Sequence, residues 1–198
     1  MPVDPMIVVA LLISYVMGSV PTGLWLGQRL RGIDIREHGS KNIGATNTLR
    51  VLGKRLGGAA LFCDIAKGVI PVLLVSRLGT WEHLPLACGV AASLGHSFSL
   101  FLKFKGGKGV ATSAGVFGSL AFYPFLIAVV VFFSVLGVTR MVSAGSILSA
   151  VALGIAVFFF PLSMPVQVVT VIVAVLVVWK HRSNVGRILR GEESRLGR

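Results

Sequence analysis

Long apolar segments constrain the fold of this chain more than any motif does. Hydrophobic residues make up 55% of its 198 residues and charged residues only 13%. About 20 consecutive apolar residues cross the hydrocarbon core of a bilayer, and the chain holds runs of that length. The opening run, Pro5 to Gly27, follows acidic Asp4 and carries no basic leader or small-residue cleavage site, so we interpret it as a retained span rather than a signal peptide. The sequence therefore predicts an all-α integral membrane protein.

Hydropathy places seven spans along the chain. They cover residues 5–27, 56–76, 84–102, 109–120, 122–138, 141–160 and 164–179. Residues 109–138 could instead form one long tilted helix, which would make six spans. Seven spans place seventeen Lys and Arg residues on one side and one on the other, whereas six spans split them ten and eight. The positive-inside bias therefore favours seven transmembrane helices, with the N-terminus outside and the C-terminus in the cytoplasm.

The fourth predicted span is unusually short. A helix of roughly 12 residues reaches about 18 Å, which is less than the ~30 Å of the hydrocarbon core. Non-helical backbone at membrane depth is tolerated only where protein or water covers it. We therefore predict a short helix that begins after the sequence KGGKG and borders a water-filled cavity open to the cytoplasm.

Polar residues gather in four intervals on the predicted cytoplasmic side. The first is the loop from Gln28 to Arg55, which contains GSKNIGATN at Gly39 to Asn47. The second is KFKGGKGVAT at Lys103 to Thr112, the third is the turn around Arg140 to Ser146, and the fourth is HRSNVGRILRGEE at His181 to Glu193. The predicted topology brings these intervals to one face of the membrane.

The sequence KFKGGKGVAT has the composition of a phosphate site at a helix start. Three lysines flank a Gly-Gly pair, so backbone N–H groups, the helix dipole and ammonium groups can all meet one anion. It is not a Walker A loop, because Leu102 and Gly109 stand where that motif needs Gly and Ser or Thr. Lys103 and Lys105 can equally well reach lipid headgroups. For Lys108, which lies between glycines, we favour phosphate binding.

The sequence GSKNIGATN offers neutral hydrogen-bonding groups for an oxyanion or a polyol. Its glycines permit a tight path, and Ser40, Asn42, Thr46 and Asn47 carry the polar groups. Arg50 follows and could present a bidentate fork to a phosphate. A loop with only a structural role is the alternative. The length of the loop favours a binding role.

Ionisable residues also occur inside predicted spans, where they are costly. Asp64 and Lys67 are spaced to pair on one helical face. This pair could have a purely structural role or could line the site, and the sequence leaves both interpretations open. We interpret His96 as a helix-packing donor. His181 differs, because it ends the last predicted span and Asn184 follows it one turn later on the same side.

Several reaction types lack their usual residues. There is no GxSxG nucleophile elbow, no Cys–His pair in the polar loops and no H-x4-D pair. Acidic residues are too scattered for a two-metal site, so neither a metal nor a cofactor is expected.

The net charge of the chain is +12, but its basic residues lie between the predicted spans rather than on a soluble basic domain. Nucleic acid is therefore not expected as a partner. A phosphate or sugar-phosphate transporter remains the alternative, although it should show inverted repeats; a lipid-binding scaffold would not need the polar content of GSKNIGATN.

Five motifs occur together in one order and spacing. They are GSVPTG at 18–23, GSKNIGATN with Arg50, KFKGGKGVAT, RMVSAGS at 140–146 and the HRSNVGRILRGEE tail. In these motifs the chain resembles the acyl-phosphate:glycerol-3-phosphate acyltransferase family (PlsY-type) over essentially its whole length. The resemblance implies one transmembrane acyltransferase domain over residues 1–198, in the bacterial inner membrane with the active site facing the cytoplasm. It also implies a role in phospholipid biosynthesis: transfer of a fatty acyl group from acyl phosphate to the 1-hydroxyl of glycerol 3-phosphate, giving lysophosphatidic acid and phosphate.

The resemblance also implies the site residues. The catalytic residues would be Ser40, Arg50, Lys108, Ser143, His181 and Asn184. The substrate-binding residues would be Asn42, Thr46, Asn47, Gly106, Gly107, Arg187 and Glu193. The implied partners are acyl phosphate, glycerol 3-phosphate and membrane lipid, and we expect a monomer.

Two points remain open at the residue level. The proton of the acceptor hydroxyl could go to His181 or to the donor phosphate, and we favour the phosphate because no carboxylate lies near His181 in sequence. Lys41 departs from the family pattern, which usually has glycine there. If that position needs a positive φ, lysine carries a modest strain.

Overall fold

The computed structural model describes residues 4–197, which form ten α-helices, three short 3₁₀ turns and no β-strand. The helices are α1 (Pro5–Ser19), α2 (Thr22–Arg31), α3 (Ala45–Leu52), α4 (Lys54–Leu73), α5 (Leu84–Ser97), α6 (Val110–Leu120), α7 (Phe122–Thr139), α8 (Val142–Ala156), α9 (Met164–Lys180) and α10 (Arg182–Leu189). The chain divides into two compact units, Met1–Leu120 and Ala121–Arg198. The all-helical prediction is confirmed.

Four helical segments among residues 4–197 are long and apolar enough to cross a membrane. They are Lys54–Leu78, Leu84–Leu102, Phe122–Thr139 and Val142–Phe159. Two bent pairs raise the number to six if each is one span: α1 with α2, bent by 48°, and α9 with α10, bent by 53°. The shorter apolar helix α6 would be the seventh. The number seven and the orientation of the termini stay predictions.

The first predicted span, residues 5–27, is not one helix. α1 ends at Ser19, and α2 begins at Thr22 and continues to Arg31. The break follows from Pro21, which has no N–H group and disfavours helical backbone at the residue before it. Val20 accordingly has ψ 115°. Its carbonyl accepts a hydrogen bond of 2.8 Å from Lys67 Nζ of α4, so a side chain from another helix satisfies the backbone at the break.

The short helix predicted after KGGKG is confirmed. It is α6, whose 11 residues begin at Val110, one residue later than predicted. Ala121, with φ −142°, separates it from α7. Glycines let α6 approach α4 closely: a Cβ on Gly115 would lie 3.0 Å from Val69 N, and one on Gly68 would meet the Thr112 carbonyl. Such contacts between small residues are typical of membrane helices. The water-filled cavity stays a prediction.

The second unit is built on α7, α8 and α9, which pack in chain order. A Cβ on Gly145 of α8 would lie 3.1 Å from the Phe132 carbonyl of α7, and one on Gly154 would lie 3.4 Å from Ala174 Cβ of α9. The chain bends at His181, between α9 and α10. The polar tail predicted from sequence therefore begins on a short helix of its own.

Candidate active site

The GSKNIGATN loop is a folded structure with its own small core. Ile43 of the loop is buried together with Leu24 and Ile35, and Val51, Leu52 and Leu102 pack against them. α2 ends at Gly32, whose φ of 64° is left-handed and turns the chain into the loop. The apolar residues on either side of the polar motif therefore fix its position on the first unit.

Asn47 is the main hydrogen-bonding centre of this loop, and its side chain is only 1% exposed. Its Oδ1 accepts a bond of 2.8 Å from the Ser40 backbone N–H. Its Nδ2 donates to the carbonyls of Ile35 at 2.8 Å, Asn42 at 2.8 Å and His38 at 3.2 Å. The amide thus joins four points of the loop backbone. This arrangement gives Asn47 a positioning role, and direct contact with substrate stays a prediction.

The other predicted residues of the loop lie nearer the surface. Ser40 and Arg50 are exposed, and Asn42 and Thr46 are half-buried. Asn42 Oδ1 accepts the Gly44 N–H at 2.9 Å, which closes a tight turn just before α3. Arg50 lies in the last turn of α3 and its Cδ passes 3.3 Å from where a Cβ on Gly39 would lie. The loop therefore presents a hydroxyl and a guanidinium on one segment.

Lys41 has a φ of 58°, in the left-handed region. Lys41 therefore carries the backbone strain expected for a non-glycine residue with positive φ, because a side chain makes that region costly.

Elsewhere in the loop, Arg36 lies 2.6 Å from Asp34. The Arg36 hydrogen bond is the main cause that holds the pKa of the Asp34 carboxyl below its ordinary value.

The KGGKG segment is held by backbone hydrogen bonds to the end of α5. The Gly106 N–H donates to the Ser97 carbonyl at 3.3 Å and the Gly107 N–H donates to the His96 carbonyl at 3.0 Å. Gly109, with φ 82°, makes the turn into α6. Lys108 is half-buried between these glycines, whereas Lys103 and Lys105 are exposed. Lys108 thus lies two residues before a helix start, as the phosphate-site hypothesis requires.

Asp64 and Lys67 form the predicted pair, with 2.7 Å between Oδ1 and Nζ. Both side chains are buried, and Lys67 also donates to Val20. His96 Nδ1 lies 4.0 Å from Asp64 Oδ1. The pair therefore joins α4 to the break after α1 and lies beside α5. The question of whether it also lines the site stays open.

In the second unit, three predicted residues meet on the carboxylate of a fourth, Glu193. Ser143 Oγ and Asn184 Nδ2 each donate to Glu193 Oε1 at 2.7 Å. Arg187 Nε donates to Oε2, also at 2.7 Å. Ser143 lies at the start of α8, Asn184 and Arg187 lie on α10, and Glu193 follows it. The sequence motifs therefore come together here across fifty positions.

These contacts perturb the Glu193 carboxyl. Burial by itself raises the pKa of Glu193, but the hydrogen bonds from Ser143, Asn184 and Arg187 and the charge of Arg187 outweigh it and leave the pKa below its ordinary value. The carboxylate is therefore ionised at neutral pH and acts as an acceptor. It holds three donors in fixed directions.

His181 is buried at the bend between α9 and α10. Its Nδ1 lies 2.8 Å from the Val177 carbonyl. A carbonyl only accepts, so this hydrogen bond requires the proton on Nδ1, and in the neutral ring Nε2 is then the acceptor nitrogen. A backbone carbonyl thus orients the ring, where sequence reasoning had looked for a carboxylate.

The predicted site residues lie in both units. Those of the first unit are Ser40, Asn42, Thr46, Asn47, Arg50, Gly106, Gly107 and Lys108, and those of the second are Ser143, His181, Asn184, Arg187 and Glu193. Their assembly into one site stays a prediction. Sequence reasoning missed the central place of Asn47 in its loop and the contact of His96 with Gly107. The hydrogen bonds of Asn47 and the contact of His96 with Gly107 both involve backbone groups, which a pattern of side chains in the sequence does not indicate.

Comparison with known proteins identifies the family. The profile of the glycerol-3-phosphate acyltransferase family matches residues 8–191. The chain belongs to this family. It is 47% identical to the glycerol-3-phosphate acyltransferase of Trichlorobacter lovleyi, over 92% of this chain and 93% of that protein. It is 42% identical to that of Fusobacterium nucleatum, over 93% and 95% of the two chains.

Solved structures of the family have the same fold. The crystal structure of PlsY (YgiH), an integral membrane glycerol 3-phosphate acyltransferase, in its glycerol 3-phosphate form is similar with a TM-score of 0.89 and 34% identity, over 96% of both chains. Its lysophosphatidic acid form gives a TM-score of 0.86 and 33% identity, over 96% of this chain and 95% of that one. The family resemblance inferred from the motifs is therefore confirmed, and the protein is an integral membrane acyltransferase of phospholipid synthesis.

Proposed function

We propose that this protein transfers a fatty acyl group from acyl phosphate to the 1-hydroxyl of glycerol 3-phosphate and releases lysophosphatidic acid and inorganic phosphate. The observation that carries the proposal is its family membership over residues 8–191. The structures of PlsY in a glycerol 3-phosphate form and a lysophosphatidic acid form support these two molecules as acceptor and product. No finding supports the alternative of a phosphate or sugar-phosphate transporter.

The choice of an acyl phosphate donor fits the scarcity of acid–base groups. An acyl phosphate is a mixed anhydride, so the carbonyl is already activated and phosphate leaves readily. The acceptor oxygen forms the new ester bond, the bond between the carbonyl carbon and the phosphate oxygen breaks, and the hydroxyl proton must be removed. The protein then has to align the two substrates and neutralise their charge, which are large terms in catalysis.

The first unit supplies the groups that fit phosphate. Arg50 and Lys108 would hold the two phosphate groups, and Ser40, Asn42 and Thr46 would bind and orient the glycerol. Arg50 is exposed on α3, which follows the loop that Asn47 holds in shape, and Lys108 follows Gly106 and Gly107 just before α6. Charge-assisted bonds of this kind are about twice as strong as neutral ones.

The second unit supplies the groups that fit the reacting carbonyl. Asn184 would orient it with its second N–H hydrogen, Ser143 would do so once its single hydroxyl hydrogen turns away from Glu193, and Arg187 would add positive charge. All three already donate to the Glu193 carboxylate. Because a carboxylate repels phosphate, Glu193 would serve substrate binding through these donors rather than by contact.

The proton has two candidate acceptors. The donor phosphate lies next to the reacting hydroxyl in any productive complex, and we favour it. His181 is better prepared than its sequence suggested, because the Val177 carbonyl fixes Nδ1 and leaves Nε2 as the acceptor nitrogen. The acyl chain would lie between helices in the bilayer.

We also propose that both units form one domain with seven spans in the bacterial inner membrane and a cytoplasmic active site. Single cysteines in a Cys63→Ser/Cys88→Ser background test this. Thr80→Cys should react with an impermeant maleimide in intact cells and Ser194→Cys only after permeabilisation. Labelling of both in intact cells would mean six spans.

The function is tested with purified protein in detergent and palmitoyl phosphate. Phosphate release should depend on added glycerol 3-phosphate, and mass spectrometry should find one lysophosphatidic acid for each phosphate. Arg50→Lys, which keeps the charge but loses the fork, is the matched variant and should weaken binding of one substrate. Release that ignores glycerol 3-phosphate, or no release at all, would refute the proposal.

A further inference from the structure

His96 is placed directly behind the predicted phosphate-binding segment. It is the second-to-last residue of α5, and it is only 4% exposed. Its backbone carbonyl accepts the Gly107 N–H at 3.0 Å. Its ring occupies the space that a side chain on Gly107 would need: a Cβ there would meet Nε2 and would lie 3.1 Å from Cε1 and 3.2 Å from Cδ2. One residue thus contacts Gly107 through both backbone and ring.

The opposite edge of the ring faces a buried ion pair. Nδ1 lies 4.0 Å from Asp64 Oδ1, and that carboxylate lies 2.7 Å from Lys67 Nζ. Lys67 also donates to the Val20 carbonyl at 2.8 Å. Because a buried pair of this kind cannot move without exposing unpaired charge to an apolar interior, it gives the ring a rigid backing.

A segment that contains two consecutive glycines has many backbone conformations, and fixing one of them costs entropy. Gly106 and Gly107 have no side chains with which to hold their own position. Whatever holds them must come from outside the segment. The His96 ring and carbonyl meet this need at Gly107, and Lys108 is the next residue.

We propose that His96, backed by the Asp64–Lys67 pair, is a positioning residue that fixes Gly107 and thereby aims Lys108 at a substrate phosphate. It makes no contact with substrate in this role. The catalytic part of the inference rests on the proposed function, in which Lys108 binds phosphate. The structural part, the immobilisation of the Gly106–Lys108 backbone, does not.

Hydrogen exchange tests the structural part without turnover. In His96→Ala, a peptide spanning residues 98–110 should exchange about tenfold faster than in the wild type, because the ring that restrains Gly107 is gone. His83→Ala is the matched control: it removes a histidine at the other end of α5 and should leave that peptide unchanged. Equal exchange in wild type and His96→Ala would overturn the proposal.

A double-mutant cycle tests the contact itself. Gly107→Ala alone should lower activity and loop protection, because its Cβ meets the ring. Adding His96→Ala removes the obstacle, so the double variant should be more active than Gly107→Ala by about tenfold. Effects that simply multiply would refute the contact. If His96→Ala does not fold, His96→Asn takes its place, because its shorter amide reaches the position of Nδ1 but not that of Nε2 and therefore also removes the contact with Gly107.

Steady-state kinetics separate positioning from mere stability. A role in stability alone would lower the active fraction and leave KM unchanged. Misplacement of Lys108 should raise the KM of one phosphate-bearing substrate by about tenfold, and a fall in melting temperature from the lost buried ring would not by itself produce that rise. If the wild type itself shows no acceptor-dependent phosphate release, the proposed function fails, and the exchange comparison alone decides the place of His96.

Discussion

Replacement of Asn47 by alanine should loosen the whole GSKNIGATN loop, although Asn47 itself lies beneath the surface. The change removes one acceptor, which serves Ser40, and two N–H hydrogens, which serve carbonyls 2.8 to 3.2 Å away. A buried hydrogen bond contributes about 1 kcal/mol net, so three of them amount to about 3 kcal/mol. That value corresponds to a roughly 100-fold larger population of the open loop.

Hydrogen exchange measures this opening directly. Peptides covering residues 35–44 should exchange about 100-fold faster in Asn47→Ala. kcat/KM should fall as well, because Ser40 loses its fixed position, and the size of the fall depends on the fraction of protein in which the loop is open. Asn47→Asp has nearly the same shape, but an ionised carboxylate only accepts and would face three carbonyls. It should therefore be at least as damaging at neutral pH.

Arg50→Lys is the control from the same helix, because it should lower activity while the loop keeps its wild-type exchange. If residues 35–44 exchange within about threefold of the wild type in Asn47→Ala, the amide does not hold the loop and the reasoning is wrong. A harmless Asn47→Asp substitution would equally show that the Nδ2 donors are dispensable.

Three further predictions concern single residues. The pKa of Glu193 is lowered, so the contribution of this carboxylate to stability is complete above its ordinary pKa of 4.5 and is lost as the pH falls through the lowered pKa. The melting temperature of Glu193→Gln should therefore approach that of the wild type only when the pH falls below the lowered pKa. A difference in melting temperature that stays constant with pH would contradict this. Lys41→Gly should relieve the backbone strain at φ 58° and increase the stability by less than about 1 kcal/mol, which is measured as a small rise in melting temperature. A clear fall in melting temperature would contradict the strain argument. His181→Ala should reduce kcat by less than about 10⁴-fold if the donor phosphate takes the proton, and a larger loss in single-turnover assays would identify His181 as the general base.

Local features of this fold could be predicted from the sequence because each depends on neighbouring residues. The start of the short α6 follows from the KGGKG segment that precedes it, and the pairing of Asp64 with Lys67 follows from helical spacing. The strain at Lys41 follows from a glycine position occupied by lysine. Hydropathy, however, averages over a window, so the break at Pro21 was hidden inside an apolar run.

The hydrogen-bond centres could not be predicted, because their partners are backbone atoms or distant residues. Asn47 looked like a ligand-binding amide, yet its side chain bonds four backbone groups of its own loop. Glu193 and Ser143 lie fifty positions apart. The Val177 carbonyl that orients His181 carries no side-chain signal at all. The residue types of the site can be read from the sequence, but their division into positioning and reacting groups cannot.

The break after α1 has a consequence for how the protein is made. The Val20 carbonyl is satisfied by Lys67, 47 positions later in the chain. At ~5–20 residues per second, the ribosome needs roughly 2–9 s to synthesise that interval. During this time the carbonyl at the bend has no lysine, and water, lipid headgroups or the insertion machinery must satisfy it. The bend between α1 and α2 therefore reaches its final bonding only when α4 has entered the membrane, which makes the arrival of α4 a step in the biogenesis of the first two helices.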